Sequence, residues 1–277
     1  MQTFEKIPFE IATKEVHIGG HKVDNVGLVA YDSEKEWPLS RVMGRSYKPF
    51  YNKQFQDLAM DMADSLELPE PEYTWNRDGD MVVATIQNPT KMRVGLGNDI
   101  DIENNIVLLN PHNGGAIKLG SAQTVIRCTN QESQIFGKVS ISHSGNLDSK
   151  IAMFRKQFEQ YNAYRKQLEN NLNQLAHQAV SQSFAENFAY RMHGVKDEKF
   201  TDLSTRKANL VEQTINSITE ECNDVGWNGF GVKNGISHFV THKYQKGRNA
   251  ATGNLFGQAY NLNAQATKML NSELVEG

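Results

Sequence analysis

The chain has 277 residues, enough to bury a full core in one large domain or two small ones. Its formal charge is −3 with 22% charged residues, which excludes the strongly basic composition that would by itself announce a nucleic-acid protein. Two cysteines, Cys128 and Cys222, exclude a disulfide framework, and no apolar run approaches the ~18 residues of a membrane-spanning helix.

The distribution of charge is more informative than its sum. Residues 1–137 carry 13 Lys and Arg against 19 Asp and Glu, whereas no acid occurs from Val225 to Ser272, where Lys233, Lys243, Lys246, Arg248 and Lys268 lie. With no signal-peptide pattern at Met1-Gln2-Thr3-Phe4-Glu5, the expected compartment is the reducing cytoplasm.

Taken in order, residues 1–46 read as extended and loop-rich, with a strand over Val23–Tyr31. His17-Ile-Gly-Gly-His21 sets two histidines four apart, but the glycine pair argues against a helix there. Asn52 to Leu66 is the first amphipathic helix, with the stripe Phe55, Leu58, Ala59, Met62 and Leu66 and Asn52 as its cap. Arg77-Asp-Gly-Asp80 between two β-prone runs predicts a hairpin. Asp99-Ile-Asp-Ile-Glu103 alternates, placing Asp99, Asp101 and Glu103 on one strand face. They form either a divalent-metal cluster, as a nuclease needs, or a solvated face that discourages edge pairing. The second is preferred, because no Lys or His follows at nuclease-like spacing. Further strands are expected over 116–119, 123–128 and 138–143, making an antiparallel meander.

From Asn146 to about Val180 an apolar stripe runs through Leu147, Ile151, Phe154, Phe158, Tyr161, Leu168, Leu172 and Leu175, interrupted only at Arg165. Asn146 is a natural cap, and an uninterrupted helix here would extend on the order of 50 Å. Helices are expected to follow, one closed by Gly226, then a glycine-rich link at Trp227-Asn-Gly-Phe, and a last helix over 255–274. The predicted class is α+β: a twisted antiparallel β-meander (1–145), one long helix behind it (146–180) and a helical C-terminal region (181–277).

The motif search is mostly negative. Gly247 to Gly253 lacks the lysine and hydroxyl of a phosphate loop, so P-loop ATP chemistry is not expected. His238-Phe-Val-Thr-His242 has zincin spacing without the glutamate base. What remains is a binding surface of cations mixed with aromatics, suited to a phosphate backbone and base stacking. Its candidates are Arg45, Tyr47, Lys48 and Tyr51, then Lys118, Arg127 and Lys138 from the sheet, and Lys243, Lys246 and Arg248 near the C-terminus.

Several stretches together resemble the phage- and plasmid-associated family known as phage/plasmid-like protein, itself a domain of unknown function. They are Gly44-Arg-Ser-Tyr47 with Asn52 and Phe55; Leu109 with His112-Asn-Gly-Gly; Val125-Ile-Arg-Cys-Thr-Asn130; His143-Ser-Gly-Asn146; and Trp227-Asn-Gly-Phe with His242. The pattern departs from the family at Gln123-Thr and at Thr241. The resemblance implies a setting in mobile-element DNA metabolism, in a host cytoplasm. The expected architecture is also similar to single-strand annealing proteins of the Red-beta and RecT kind. That likeness implies single-stranded DNA as partner, a homo-oligomeric ring or filament, a partner nuclease in some cases, and neither a cofactor nor a catalytic residue. The rival expectations are a metal-dependent nuclease built on Asp99, Asp101 and Glu103, and a protein–protein module acting on a host factor.

Overall fold

The computed structural model describes residues 4–76, 78–95, 99–125, 130–195, 203–244 and 257–275. Nine strands precede nearly all the helices among these residues, so the molecule is α+β, as the sequence predicts. The chain divides into two compact units, one of residues 1–89, 105–121 and 135–162, the other of 90–104, 122–134 and 163–277.

In the first unit, β1 (Glu10–Ile18), β2 (His21–Tyr31) and β3 (Glu36–Gly44) form an antiparallel sheet in the order β1-β2-β3. The loop-rich reading of residues 1–46 is therefore corrected. Gly19 and Gly20, with φ of 58° and 83°, make the two-residue turn between β1 and β2, whose positive φ suits the strand twist. Ile11, Leu28, Ala30, Leu39 and Met43 are buried.

The hairpin expected around Gly79 is present as β4 (Glu72–Trp75) and β5 (Met81–Ile86), with Tyr73 opposite Ala84. β5 also pairs antiparallel with the second half of β7 (Ile100–Pro111). The sheet order is β4-β5-β7-β8-β9, with β8 at Ile117–Val125 and β9 at Asn130–Ile141. The alternating run at 99–103, from Ile100 onward, and the apolar run Ile106–Leu109 belong to one strand, β7. Its burial alternates at the start and becomes continuous from Ile106, which is why two patterns appear. Helix α1 (Asn52–Ser65) buries Phe55, Leu58, Ala59 and Met62, packing on β5 and β1.

The single rod predicted for 146–180 is two helices, α2 (Leu147–Phe158) and α3 (Tyr161–His177), separated by a turn at Glu159–Gln160. No glycine or proline marks this break. Tyr161 is 1% exposed and its hydroxyl accepts from Asn88 Nδ2 at 3.3 Å. Burying that ring takes precedence over extending the α2 ladder, whose bond from Glu159 N–H to Arg155 O is 3.4 Å. The expected cap holds, since Ser149 N–H donates to Asn146 Oδ1 at 3.2 Å. A second break follows α3. Val180 N–H donates to Trp227 O at 3.0 Å and Gly229 N–H to Gln178 O at 2.9 Å, an extended pairing that a helix cannot make. Ser181 then caps α4 (Gln182–Met192).

The second unit packs α3, α4, α5 (Thr205–Val225), α6 (Gly229–His238), a π-helical segment (Phe239–Tyr244) and α7 (Gln258–Leu274) around one core. The core holds Leu168, Leu172, Leu175, Phe188, Ile218, Phe230, Ile236 and Phe239, together with Met92, Val94, Ile100 and Ile102. Each such side chain contributes about 1.5–3 kcal/mol by leaving water. Met92 and Val94 come from β6 (Met92–Val94), a short strand no sequence pattern announced. Side chains of α3 hold its backbone. Arg93 N–H donates to Glu169 Oε1 at 2.8 Å, and Asn173 Nδ2 donates to Arg93 O at 2.8 Å. Arg165, the one interruption of the apolar stripe, donates to the carbonyls of Thr90 and Lys91 at 2.9 and 3.0 Å.

The glycine-rich link at Trp227-Asn-Gly-Phe is instead the capped start of α6, where Asn228 Oδ1 accepts from Gly231 N–H at 2.9 Å. Gly231 and Gly235 lie within that helix. A Cβ on Gly235 would stand 2.3 Å from Ile218 Cα, so only glycine permits α6 to approach α5 this closely. No described helix is long and apolar enough to cross a membrane.

Candidate functional site

Four of the polar residues that the first unit buries lie at or just past the ends of its elements. They are Asn52 at the start of α1, Asn110 near the end of β7, His112 in the turn after it and His143 after β9, exposed by 0, 0, 0 and 4% respectively. Gly114 and Gly145, at φ of 84° and 73°, make the turns that follow the two histidines. The segment 45–51 is tied to the same place: Lys48 N–H donates to His143 O at 2.7 Å, and the Tyr47 ring lies on the His143 imidazole at 4.9 Å between centroids.

Hydrogen bonding settles the proton on each imidazole. Asn52 Nδ2 donates to Phe9 O at 3.0 Å, which turns Asn52 Oδ1 toward His112 Nε2 at 2.9 Å. An amide oxygen only accepts, so His112 carries its proton on Nε2 and has a lone pair on Nδ1. His143 Nδ1 lies 3.2 Å from Lys48 O and must donate there, leaving the lone pair on Nε2. Asn110 Nδ2 donates to Phe50 O at 2.8 Å, which leaves its Oδ1 as a buried acceptor. None of these three acceptors, nor the Tyr47 hydroxyl, meets a hydrogen-bond partner among the described residues. Each such group costs roughly 1–3 kcal/mol of folding free energy.

Burial keeps the cluster neutral. It pushes His112 down to about 3, with the His143 imidazole adding to the effect. His143 is lowered by burial, partly offset by the carbonyls of Lys48 and Pro111, of which only Lys48 O is in hydrogen-bond geometry. Burial also raises the Tyr47 phenol well above its ordinary range. The arrangement presents two imidazole nitrogens, an amide oxygen and a phenol, none charged.

The residues named from sequence fall in different settings. Arg45 is exposed, with Nη1 3.4 Å from Asp24 Oδ1. Lys48 is exposed, and Tyr51 is 38% exposed where the chain enters α1. Tyr47 offers less, since one face of its ring is covered by His143. Lys118 is half-buried on β8 and has a partner within the chain. Lys138 lies on β9, a strand whose side chains over residues 130–140 are outside those described; Arg127, Lys246, Arg248 and Cys128 are outside the described residues altogether. Lys243, in the second unit, stands 3.3 Å from Glu220 Oε2.

Of the metal candidates read from sequence, Glu103 lies half-buried on β7, and Asp101 and His238 are engaged with other side chains. Asp101 lies 3.6 Å from Lys91 Nζ and 3.3 Å from Arg93 Nε, and Asp99 is exposed outside the strand. His238 Nδ1 is held 3.0 Å from the buried Glu221, and the His242 ring stands perpendicular to it at 5.0 Å. Among the described residues, no three His, Cys, Asp or Glu side chains come together as a metal group.

His112 and His143 stand within the motifs that carry the family resemblance, but no local pattern marks them as site residues. The available signal is polarity at strand ends: Asn110 directly follows the apolar run Ile106–Leu109, and His112 comes two residues later.

The fold and this cluster define a mixed α+β chain with a buried, uncharged polar site between the ends of its strands. The chain belongs to the family described as a domain of unknown function, DUF932, whose model matches residues 39–268. Tyr47, Asn52, Asn110, His112 and His143 all lie within the matched span, whereas the β1–β2 hairpin precedes it. No curated protein and no solved structure matches the chain.

Proposed function

We propose that the chain is a non-catalytic single-stranded DNA-binding protein of phage or plasmid DNA metabolism. It promotes annealing without ATP and works as a homo-oligomer. The observation that carries this reading is the junction between β3 and α1. Arg45, Lys48 and Lys53 are exposed there and Tyr51 is partly exposed. The backbone that bears them is pinned. Lys48 N–H is bound to His143 O, while Asn52 and Lys53 N–H donate to the Glu10 carboxylate at 2.7 and 2.9 Å. Exposed cations on a pinned backbone beside an aromatic ring suit an extended strand, with phosphates on the cations and a base against Tyr51. Annealing requires strands to be held with their bases accessible, and no bond is made or broken.

Because α2 and α3 are separate helices, support for this reading comes from the exposed surface alone. The test is fluorescence anisotropy with a labelled single strand across a salt series. Each phosphate contact contributes about 0.7 to the slope of log K against log salt for single strands. Arg45→Ala with Lys48→Ala should weaken binding and flatten the slope by about 1.4. Unchanged affinity and slope would remove the site. Incubation with magnesium or manganese should leave the strand intact; cleavage would favour the nuclease alternative.

A further inference from the structure

The buried pair His112 and His143 has no role in that reading, and its geometry points elsewhere. A histidine that ligates a metal through one ring nitrogen ordinarily donates from the other to a carbonyl or carboxylate, which orients the ring and sets its tautomer. Both histidines have that arrangement. His112 donates from Nε2 to an Asn52 amide, itself oriented by Phe9 O, and His143 donates from Nδ1 to Lys48 O. Their remaining nitrogens are buried lone pairs without partners among the described residues, as is Asn110 Oδ1. Tyr47, whose hydroxyl is likewise buried and unpartnered, lies against His143.

We propose that this cluster is a binding site for one divalent d-block cation, with His112 Nδ1 and His143 Nε2 as its nitrogen ligands and Tyr47 and Asn110 supplying oxygen. Imidazole donors select zinc-like ions over magnesium or calcium, which prefer sites rich in carboxylate oxygen. The residues span three separate stretches of chain. The bound ion would therefore tie the 45–51 segment, the end of β7 and the segment after β9 to one point. The site is distinct from Asp99, Asp101 and Glu103 and from His238 and His242. It does not depend on DNA binding.

The experiment uses the full chain, treated with EDTA and dialysed, then titrated calorimetrically with zinc chloride. About one equivalent should bind, and the zinc X-ray absorption spectrum should show two imidazoles in the shell. His143→Gln should weaken binding at least ~10-fold, with an unchanged circular dichroism spectrum. His17→Gln and His242→Gln should bind as the natural chain does. The proposal is overturned by absence of saturable binding, by full affinity in His143→Gln, by loss of binding in His17→Gln or His242→Gln, or by a shell with fewer than two imidazoles. If His143→Gln fails to fold, the absorption spectrum of the natural chain decides. Ordered water alone at the three acceptors would appear as no saturable zinc binding.

Discussion

Asn52 illustrates how a residue's type can be read correctly and its role missed. An asparagine before an amphipathic stripe is a reasonable helix cap. Here Tyr51 is the cap, and Asn52 is wholly buried, spending its amide on Phe9 O and His112. The vacated capping role falls to Glu10, whose carboxylate accepts from the backbone of Asn52 and Lys53 and so meets the positive end of the α1 dipole. Glu10 is 42 residues away in the chain, beyond the reach of any local pattern. Glu10→Ala should therefore destabilise the protein by about 1–2 kcal/mol, as loss of a helix cap does. A urea midpoint unchanged from the natural chain would show that the contact contributes nothing. Arg165 teaches the same lesson in reverse: as a break in an apolar stripe it looks like noise, yet it binds the carbonyls of Thr90 and Lys91.

At the level of elements, periodicity located helices better than it located their ends. The stripe from Leu147 to Leu175 is continuous enough to suggest one helix, and it is divided because Tyr161 is buried and residues 178–180 pair with 227–229. Those are tertiary contacts, and a helical wheel contains no information about them. The opposite error occurs in α6, where glycines that suggest a loop lie within a helix. Two effects compete at Gly235. Alanine raises helix propensity by about 1 kcal/mol over glycine, whereas its Cβ would meet Ile218 Cα at 2.3 Å. Overpacking against backbone costs roughly 1–3 kcal/mol or more, and the contact is far inside van der Waals distance. The clash should win, so Gly235→Ala is expected to lower stability by about 2 kcal/mol in equilibrium unfolding. A stabilised variant would mean that α5 and α6 do not approach as described.

On the scale of the molecule, neither compact unit is one continuous stretch of chain. The second unit's core takes Met92, Val94, Ile100 and Ile102 from residues 90–104, although its helices all lie after residue 160. A fragment comprising residues 163–277 lacks those four side chains. Their removal forfeits roughly 6–12 kcal/mol of apolar burial, comparable to the ~5–15 kcal/mol stability of a whole domain. Expressed alone, the fragment should melt without a cooperative transition in calorimetry. A sharp two-state melt would show that the helices suffice for their own core.

The α+β class, the first helix, the hairpin at Gly79 and the caps at Asn146 and Gly226 could all be read from residue order, because each depends on neighbours a few positions apart. The candidate DNA-facing residues Arg45, Lys48 and Tyr51 could also be read, since a charge beside an aromatic is visible in one dimension. The meeting of His112 with Asn52, and of His143 with Lys48 and Tyr47, could not. It joins residues 60 and 95 positions apart through the bonds from Asn52 to His112 and from Lys48 to His143. Such a cluster exists only once strand ends and turns meet in space, where burial, rather than sequence neighbourhood, sets which polar atoms face inward and which protons they carry.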